Sequence, residues 1–190
     1  DAVLTDRQRE IIDGEMLGDG HLACSGAYKN ASLRWHQKSL EHTELLRDEF
    51  SELSPSFAPR TDAAVGWTLH TACNPDLTVQ HARWYKKKTK IVPDDLVLSP
   101  LTCFHWYIGD GSLTKSGAIE LYSMGFTRAE NERLAGMLGA IGVHATVQCK
   151  RRNGREYFYL YIGAAQASTF LEYIGPPRVS DYLYKWGDVE

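Results

Sequence analysis

Apolar and polar residues alternate along this chain with two different periods, and the changes between them mark out its elements. Leu4-Thr5-x-x-Gln8 opens a helix: Thr5 can cap the first amides, Gln8 can reach back, and Leu4 supplies a hydrophobic staple. That helix is expected from Asp6 to Gly18. The period then shortens to two. Leu22 and Cys24 alternate with His21, Ala23 and Ser25, and Leu33 and Trp35 alternate with Ser32, Arg34 and His36. Together they predict a hairpin around a Gly26-to-Asn30 turn, with one apolar face and one polar, partly basic face. Ser39 caps a helix with the stripe Leu46, Phe50, Leu53. Strands over Phe57–Ala63 and Val65–Thr71 turn Trp67 and Leu69 inward and Thr68 and His70 outward. A basic segment, Leu77–Lys90, is expected to be helical.

From Ser99-Pro100 the order starts again, with a cap and a proline at the first helical position. Strands near Leu113–Lys115 and Ile119–Ser123 follow. Thr127-x-x-Glu130 is a capping box for a helix with the stripe Leu134, Leu138, Ile141. Those three residues repeat Leu46, Phe50 and Leu53 at a constant offset. Strands His144–Lys150 and Tyr157–Ile162, joined by a basic turn, precede a last helix near Ser168–Tyr173. The chain reads as α+β, a tandem duplication of an α-β-β-α-β-β-α unit. Residues 1–92 form the first repeat, 93–100 the linker and 101–190 the second repeat.

Each repeat's first helix ends alike, in Gly18-Asp19-Gly20 and in Gly109-Asp110-Gly111. Glycine at a helix end is ordinary, but an acid at the negative pole of the helix dipole is not. Two such carboxylates, brought together by packing of the two helices, predict a cation between them. Gly14 and Gly18 share a face and permit a close helix approach. His105 stands where the second helix would carry its first small residue, so that part of the interface is expected to be wider or asymmetric. Glu15 reads as an exposed charge.

Composition narrows the function classes. A 43% hydrophobic content is that of a folded protein. No run approaches the roughly 20 apolar residues of a membrane span, and no signal peptide opens the chain. The start at Asp1, without Met, suggests a trimmed or excised segment. Cys24, Cys73, Cys103 and Cys149 lack zinc-ligand spacing. Three lie in apolar or strand-like runs and read as small buried residues, as in a reducing compartment. A net charge of -3 counts against a nucleic-acid binder. Its distribution counts for one, with basic clusters at Lys86-Lys87-Lys88 and Lys150-Arg151-Arg152.

The paired Gly-Asp-Gly helices, the duplicated element order and Gln37-Lys38-Ser39 after the second strand resemble the LAGLIDADG homing endonucleases, in their single-chain, two-motif form. The resemblance runs from about Leu4 to Leu171. It implies motif helices packed at a pseudo-twofold interface and two antiparallel sheets forming a DNA-binding saddle. It implies Asp19 and Asp110 as catalytic, metal-binding acids, with the carbonyls of Gly18 and Gly109 as further ligands. Gln37 and Lys38 match a polar pair beside the active site, with Lys115 as the second-half partner. The implied activity is a Mg²⁺-dependent double-strand break with short 3′ overhangs, made by a monomer on double-stranded DNA. An intron or intein origin and a cytoplasmic or organellar location go with it.

The outward strand residues Ser32, Arg34, His70, Gln148, Lys150, Arg151, Tyr157 and Tyr159 are the expected reading surface, since a two-stranded ribbon fits the major groove. The Lys86–Lys90 segment, with Lys86 and Lys88, is expected at phosphates, and Arg152 and Arg155 are further expected DNA contacts. An RNA-binding intron maturase or a catalytically silent DNA-binding protein on the same fold has no need of either acid, so the presence of both favours cutting. An aspartic protease is excluded, because its Asp-Gly units sit on β-loops and are followed by Thr or Ser.

Overall fold

Two four-stranded antiparallel sheets with the same strand order carry the architecture. In the computed structural model, residues 3–24, 29–61 and 65–187 are described. The first half comprises α1 (Asp6–Leu17), β1 (His21–Ala23), β2 (Ser32–Gln37), α2 (Leu40–Glu49), β3 (Ser56–Pro59), β4 (Trp67–His70) and α3 (Pro75–Trp84). A small hairpin follows, β5 (Tyr85–Lys86) and β6 (Thr89–Lys90). The second half comprises α4 (Pro100–Asp110), β7 (Gly111–Leu113), β8 (Ile119–Leu121), α5 (Arg128–Ala140), β9 (Ala145–Arg152), β10 (Arg155–Ile162) and α6 (Ala164–Ile174). The sheets run β1-β2-β4-β3 and β7-β8-β10-β9, so the duplication read in the sequence is a duplication of topology. Most of the expected Gly26-to-Asn30 turn, and the strand end at Asp62-Ala63, lie outside the described residues.

Local chemistry explains the element starts. Thr5 and Gln8 form a capping box on α1, as do Thr127 and Glu130 on α5. Ser39 and Ser99 cap α2 and α4 through their hydroxyls. Both repeated stripes are internal: Leu46, Phe50, Leu134 and Leu138 are fully buried. Trp35 packs on Phe50 at 5.3 Å between centroids, which joins the inner face of β2 to the end of α2.

α1 and α4 pack at backbone range, and Gly14 is the reason. A Cβ on Gly14 would lie 2.4 Å from the Thr102 carbonyl oxygen and 2.6 Å from His105 Cβ. The Thr102 hydroxyl donates to the Glu10 carbonyl at 3.1 Å, so the helices are also hydrogen-bonded. The interface is therefore asymmetric but not wider at His105, whose Cβ occupies the space that Gly14 leaves free.

Several expectations are corrected. Glu15 is 1% exposed, buried in the α1–α4 interface. The basic segment does not stay helical: α3 ends at Trp84, and the chain turns at Lys87 in the left-handed region (φ 59°) to form β5–β6. Cys24, Cys73 and Cys149 are exposed, and of the four only Cys103 is buried. The 3₁₀ turn Ser180–Trp186 beyond α6 was not foreseen. No helix among the described residues is long and apolar enough to cross a membrane.

Candidate active site and nucleic-acid interface

The two motif helices deliver their acids to one cleft. α4 ends on Asp110, while α1 ends at Leu17, two residues before Asp19, with Gly18 as its cap. A Cβ on Gly18 would lie 3.6 Å from the Asp110 side chain, so the two acids approach across the helix ends. Asp19, His36, Gln37, Lys38, Asp110 and Lys185 all line a cleft of about 560 Å³. Desolvation, then the charge of Asp19, raises the Asp110 carboxyl to about 7. Desolvation, then Glu15, raises Asp19 as well. Neither carboxylate accepts a protein hydrogen bond among the described residues, so both keep their lone pairs for another ligand.

The cations that answer the helix dipoles are lysines. Lys90 Nζ donates to the carbonyls of Met16, Gly18 and Gly20 at 2.9–3.1 Å. Lys185 Nζ donates to those of Tyr107, Ile108 and Gly111 at 2.7–3.2 Å. The two arrangements are nearly the same, one at the end of each motif helix, where free carbonyls favour a cation. Desolvation lowers both ammonium groups to about 8, against the opposing pull of Asp110 and Asp19. Neither lysine belongs to a local motif with its acid: Lys90, read with the basic Lys86–Lys90 segment as a phosphate contact, turns instead to the end of α1, and nothing in the sequence points to Lys185. Each stands more than 70 residues downstream and arrives only through the fold.

The other expected site residues divide. Gln37 is buried, with its amide 3.3 Å from Glu15, and Lys38 is exposed at the cleft. Lys115 sits exposed in the β7–β8 turn and does not line the cleft. The Gly18 carbonyl is engaged by Lys90; the Gly109 carbonyl lacks such a bond among the described residues. Tyr122, from the second half, also lines the cleft.

The outer sheet faces carry rows of polar side chains. Register places His21, Arg34, His70 and Ser56 side by side across the first sheet. Ser32, expected among them, is buried at 6% exposure. On the second sheet Gln148 pairs with Tyr159, Lys150 with Tyr157 and Arg152 with Arg155, all on one face. Arg152 directly opposite Arg155 is a repulsive pair that a polyanion relieves. Arg151 points to the other face, since strand residues alternate, and there it pairs with Glu156 at 2.8 Å. Lys86 and Lys88 are exposed on the β5–β6 hairpin.

A duplicated α/β unit with one acid from each motif helix in a shared cleft, and basic ribbons beside it, defines a nucleic-acid-cutting class. Residues 9–170 match the LAGLIDADG DNA endonuclease family. The chain belongs to that family. It is 28% identical to DNA endonuclease I-ChuI of Chlamydomonas applanata, over 97% of this chain and 96% of the relative. An uncharacterized protein of Methanocaldococcus jannaschii is 31% identical over 66% of this chain and 53% of its own length. Among solved structures, the homing endonuclease I-WcaI bound to its DNA recognition sequence superposes with a TM-score of 0.79. The likeness covers 96% of this chain and 88% of that one at 20% identity. I-DmoI in complex with DNA and Mn superposes at 0.56, with 14% identity over 90% and 99% of the two chains.

Proposed function

We propose that this chain is a site-specific homing endonuclease that makes a divalent-metal-dependent double-strand break in a long DNA target. The observation that carries this is the convergence at one cleft of Asp19 and Asp110, two carboxylates that accept no hydrogen bond among the described residues. Two anions of raised pKa sharing a site suit a dication, and all-oxygen donors suit Mg²⁺. Asp19, Asp110 and the Gly109 carbonyl are the groups that would hold it. When bound, such an ion lowers the pKa of water and neutralises charge on the phosphate.

The chain's own residues do the rest. Lys90 and Lys185 hold the motif-helix ends and place positive charge beside both acids. Lys38, at the cleft rim, meets the phosphate backbone. Gln37, held by Glu15, supplies an amide to orient water near Asp19. Arg34 and His70 on one sheet, and Gln148, Lys150 and Tyr159 on the other, face the grooves, while Arg152 and Arg155 take phosphates. One chain supplies both acids, so a monomer suffices to cut both strands.

The test is a supercoiled plasmid carrying the joined flanks of this gene's insertion site, incubated with protein and Mg²⁺. The expected result is one linear product, abolished by Asp19→Asn and by Asp110→Asn while DNA binding persists. Cutting that survives in either variant overturns the assignment.

A further inference from the structure

At the same interface lies a second cluster, of which only Glu15 enters the cleavage reading, through its hydrogen bond with Gln37. Glu15 comes from α1, His42 from α2 and His105 from α4, so the three span both halves of the molecule. All are at most 1% exposed. His105 Nδ1 is 2.8 Å from Glu15 Oε1, and His42 Nε2 is 3.5 Å from the same oxygen. One ligand atom from each lies within 4.8 Å of the others.

His42 is the observation that asks for a ligand. Among the described residues neither of its ring nitrogens has a hydrogen-bond partner, although the ring is fully buried. Buried polar atoms are nearly always satisfied, so an orphaned imidazole aimed at a carboxylate needs an explanation. Glu15 Oε1 lies at 3.5 Å, an ion-pair contact longer than a good hydrogen bond, and the neighbouring rings add no acceptor: Tyr182 presents an edge at 5.7 Å and His105 lies at 5.9 Å. The charge of Glu15 also acts on Asp19 and Asp110 and raises both carboxyls, a concentration of negative charge in a desolvated place.

We propose that Glu15, His42 and His105 form a buried zinc site that staples the two halves together. Two imidazole nitrogens and one carboxylate oxygen are a zinc donor set, whereas Mg²⁺ prefers oxygen alone. Zinc bonds of about 2.0–2.1 Å set tetrahedral ligands roughly 3.4 Å apart. The two separations to Glu15 Oε1, 2.8 and 3.5 Å, bracket that spacing, and all three ligand atoms lie within 4.8 Å, so side-chain adjustment about a central ion closes the set. Gln37 closes the remaining side, its Nε2 3.3 Å from the second Glu15 oxygen. The site uses neither Asp19 nor Asp110 and meets the cleavage reading only at the Glu15–Gln37 hydrogen bond.

The test is direct zinc titration of the full chain after chelator dialysis, in excess Mg²⁺ to occupy the oxygen sites. One equivalent of Zn²⁺ per chain and a rise in Tm saturating at that ratio are expected. Co²⁺ in its place gives the visible absorption of a tetrahedral nitrogen–oxygen centre. His42→Gln and His105→Gln each weaken zinc binding by at least about a hundredfold. A parent protein that takes up no stoichiometric zinc and shows no Tm shift overturns the proposal. So does uptake unchanged in both variants, which places the ion elsewhere. None of these readouts depends on DNA cleavage.

Discussion

Lys90 and Lys185 occupy matching positions, each ammonium donating to three carbonyls at the end of a motif helix. Each is a cation at a negative helix pole with an acid beside it. The tension noted in the sequence, an Asp where the helix dipole disfavours one, is met within the chain before any metal binds. Lys185 is the more deeply placed, at 5% exposure.

Replacing these lysines separates support from charge. Lys185→Met leaves three carbonyls without their donor and is expected to destabilise the protein by about 1–3 kcal/mol. Lys90→Met, at a half-buried position, is expected to cost less. Both slow cleavage. Lys185→Arg does not rescue, because a planar fork cannot replace a compact ammonium among three converging carbonyls. Urea melts and cleavage time courses of the three variants decide this.

Asp110 makes metal-free stability depend on pH. Its carboxyl is raised from 3.8 to about 7, so between those values the folded protein keeps a proton that the unfolded chain has lost. Stability from this group is therefore full below pH 3.8 and declines as pH rises to 7. Asp110→Asn removes that decline, and thermal melts in chelator at pH 5 and pH 8 measure it. Metal and proton compete for the same oxygen, so apparent Mg²⁺ affinity falls about tenfold per unit below pH 7.

Two motif glycines are predicted to behave oppositely. Gly14→Ala drives a Cβ into the Thr102 carbonyl, and the helices must separate, at about 1–3 kcal/mol. A Cβ at Gly109 meets nothing within 4 Å. Gly109→Ala is therefore neutral, or stabilising by up to about 1 kcal/mol through the lower entropy of the unfolded chain. Chemical denaturation of the two variants tests the contrast.

The basic ribbon makes a salt prediction. Arg152→Ala and Arg155→Ala each reduce the slope of log affinity against log salt by about one, as one phosphate contact is lost. Arg151→Ala leaves the slope unchanged, because that guanidinium faces away and is held by Glu156. Fluorescence anisotropy at four salt concentrations distinguishes them.

How much of this was legible in the chain follows from the range of the forces involved. Caps, stripes and strand alternation are short-range, so Thr5-x-x-Gln8, Thr127-x-x-Glu130 and the repeated Leu46/Leu134 stripe could be read directly. The paired Gly-Asp-Gly ends located the acids for the same reason. Lys90, Lys185 and the Glu15–His42–His105 cluster could not be read, since each depends on contacts between elements distant in sequence. Lys115 was nominated by proximity along the chain, and the β7–β8 turn carries it away from the cleft. Glu15 seemed exposed because a charge inside a helix usually is; Gly14 lets α4 approach until His105 covers it.

By itself, then, the sequence determined the duplicated element order and the two acids, because local backbone preferences and a repeated pattern encode them. Tertiary structure alone decided which cations answer those acids, which strand face each arginine takes and which buried side chains meet between the halves. Those outcomes rest on the packing distance of α1 and α4 and on strand register, which are set by the whole chain at once.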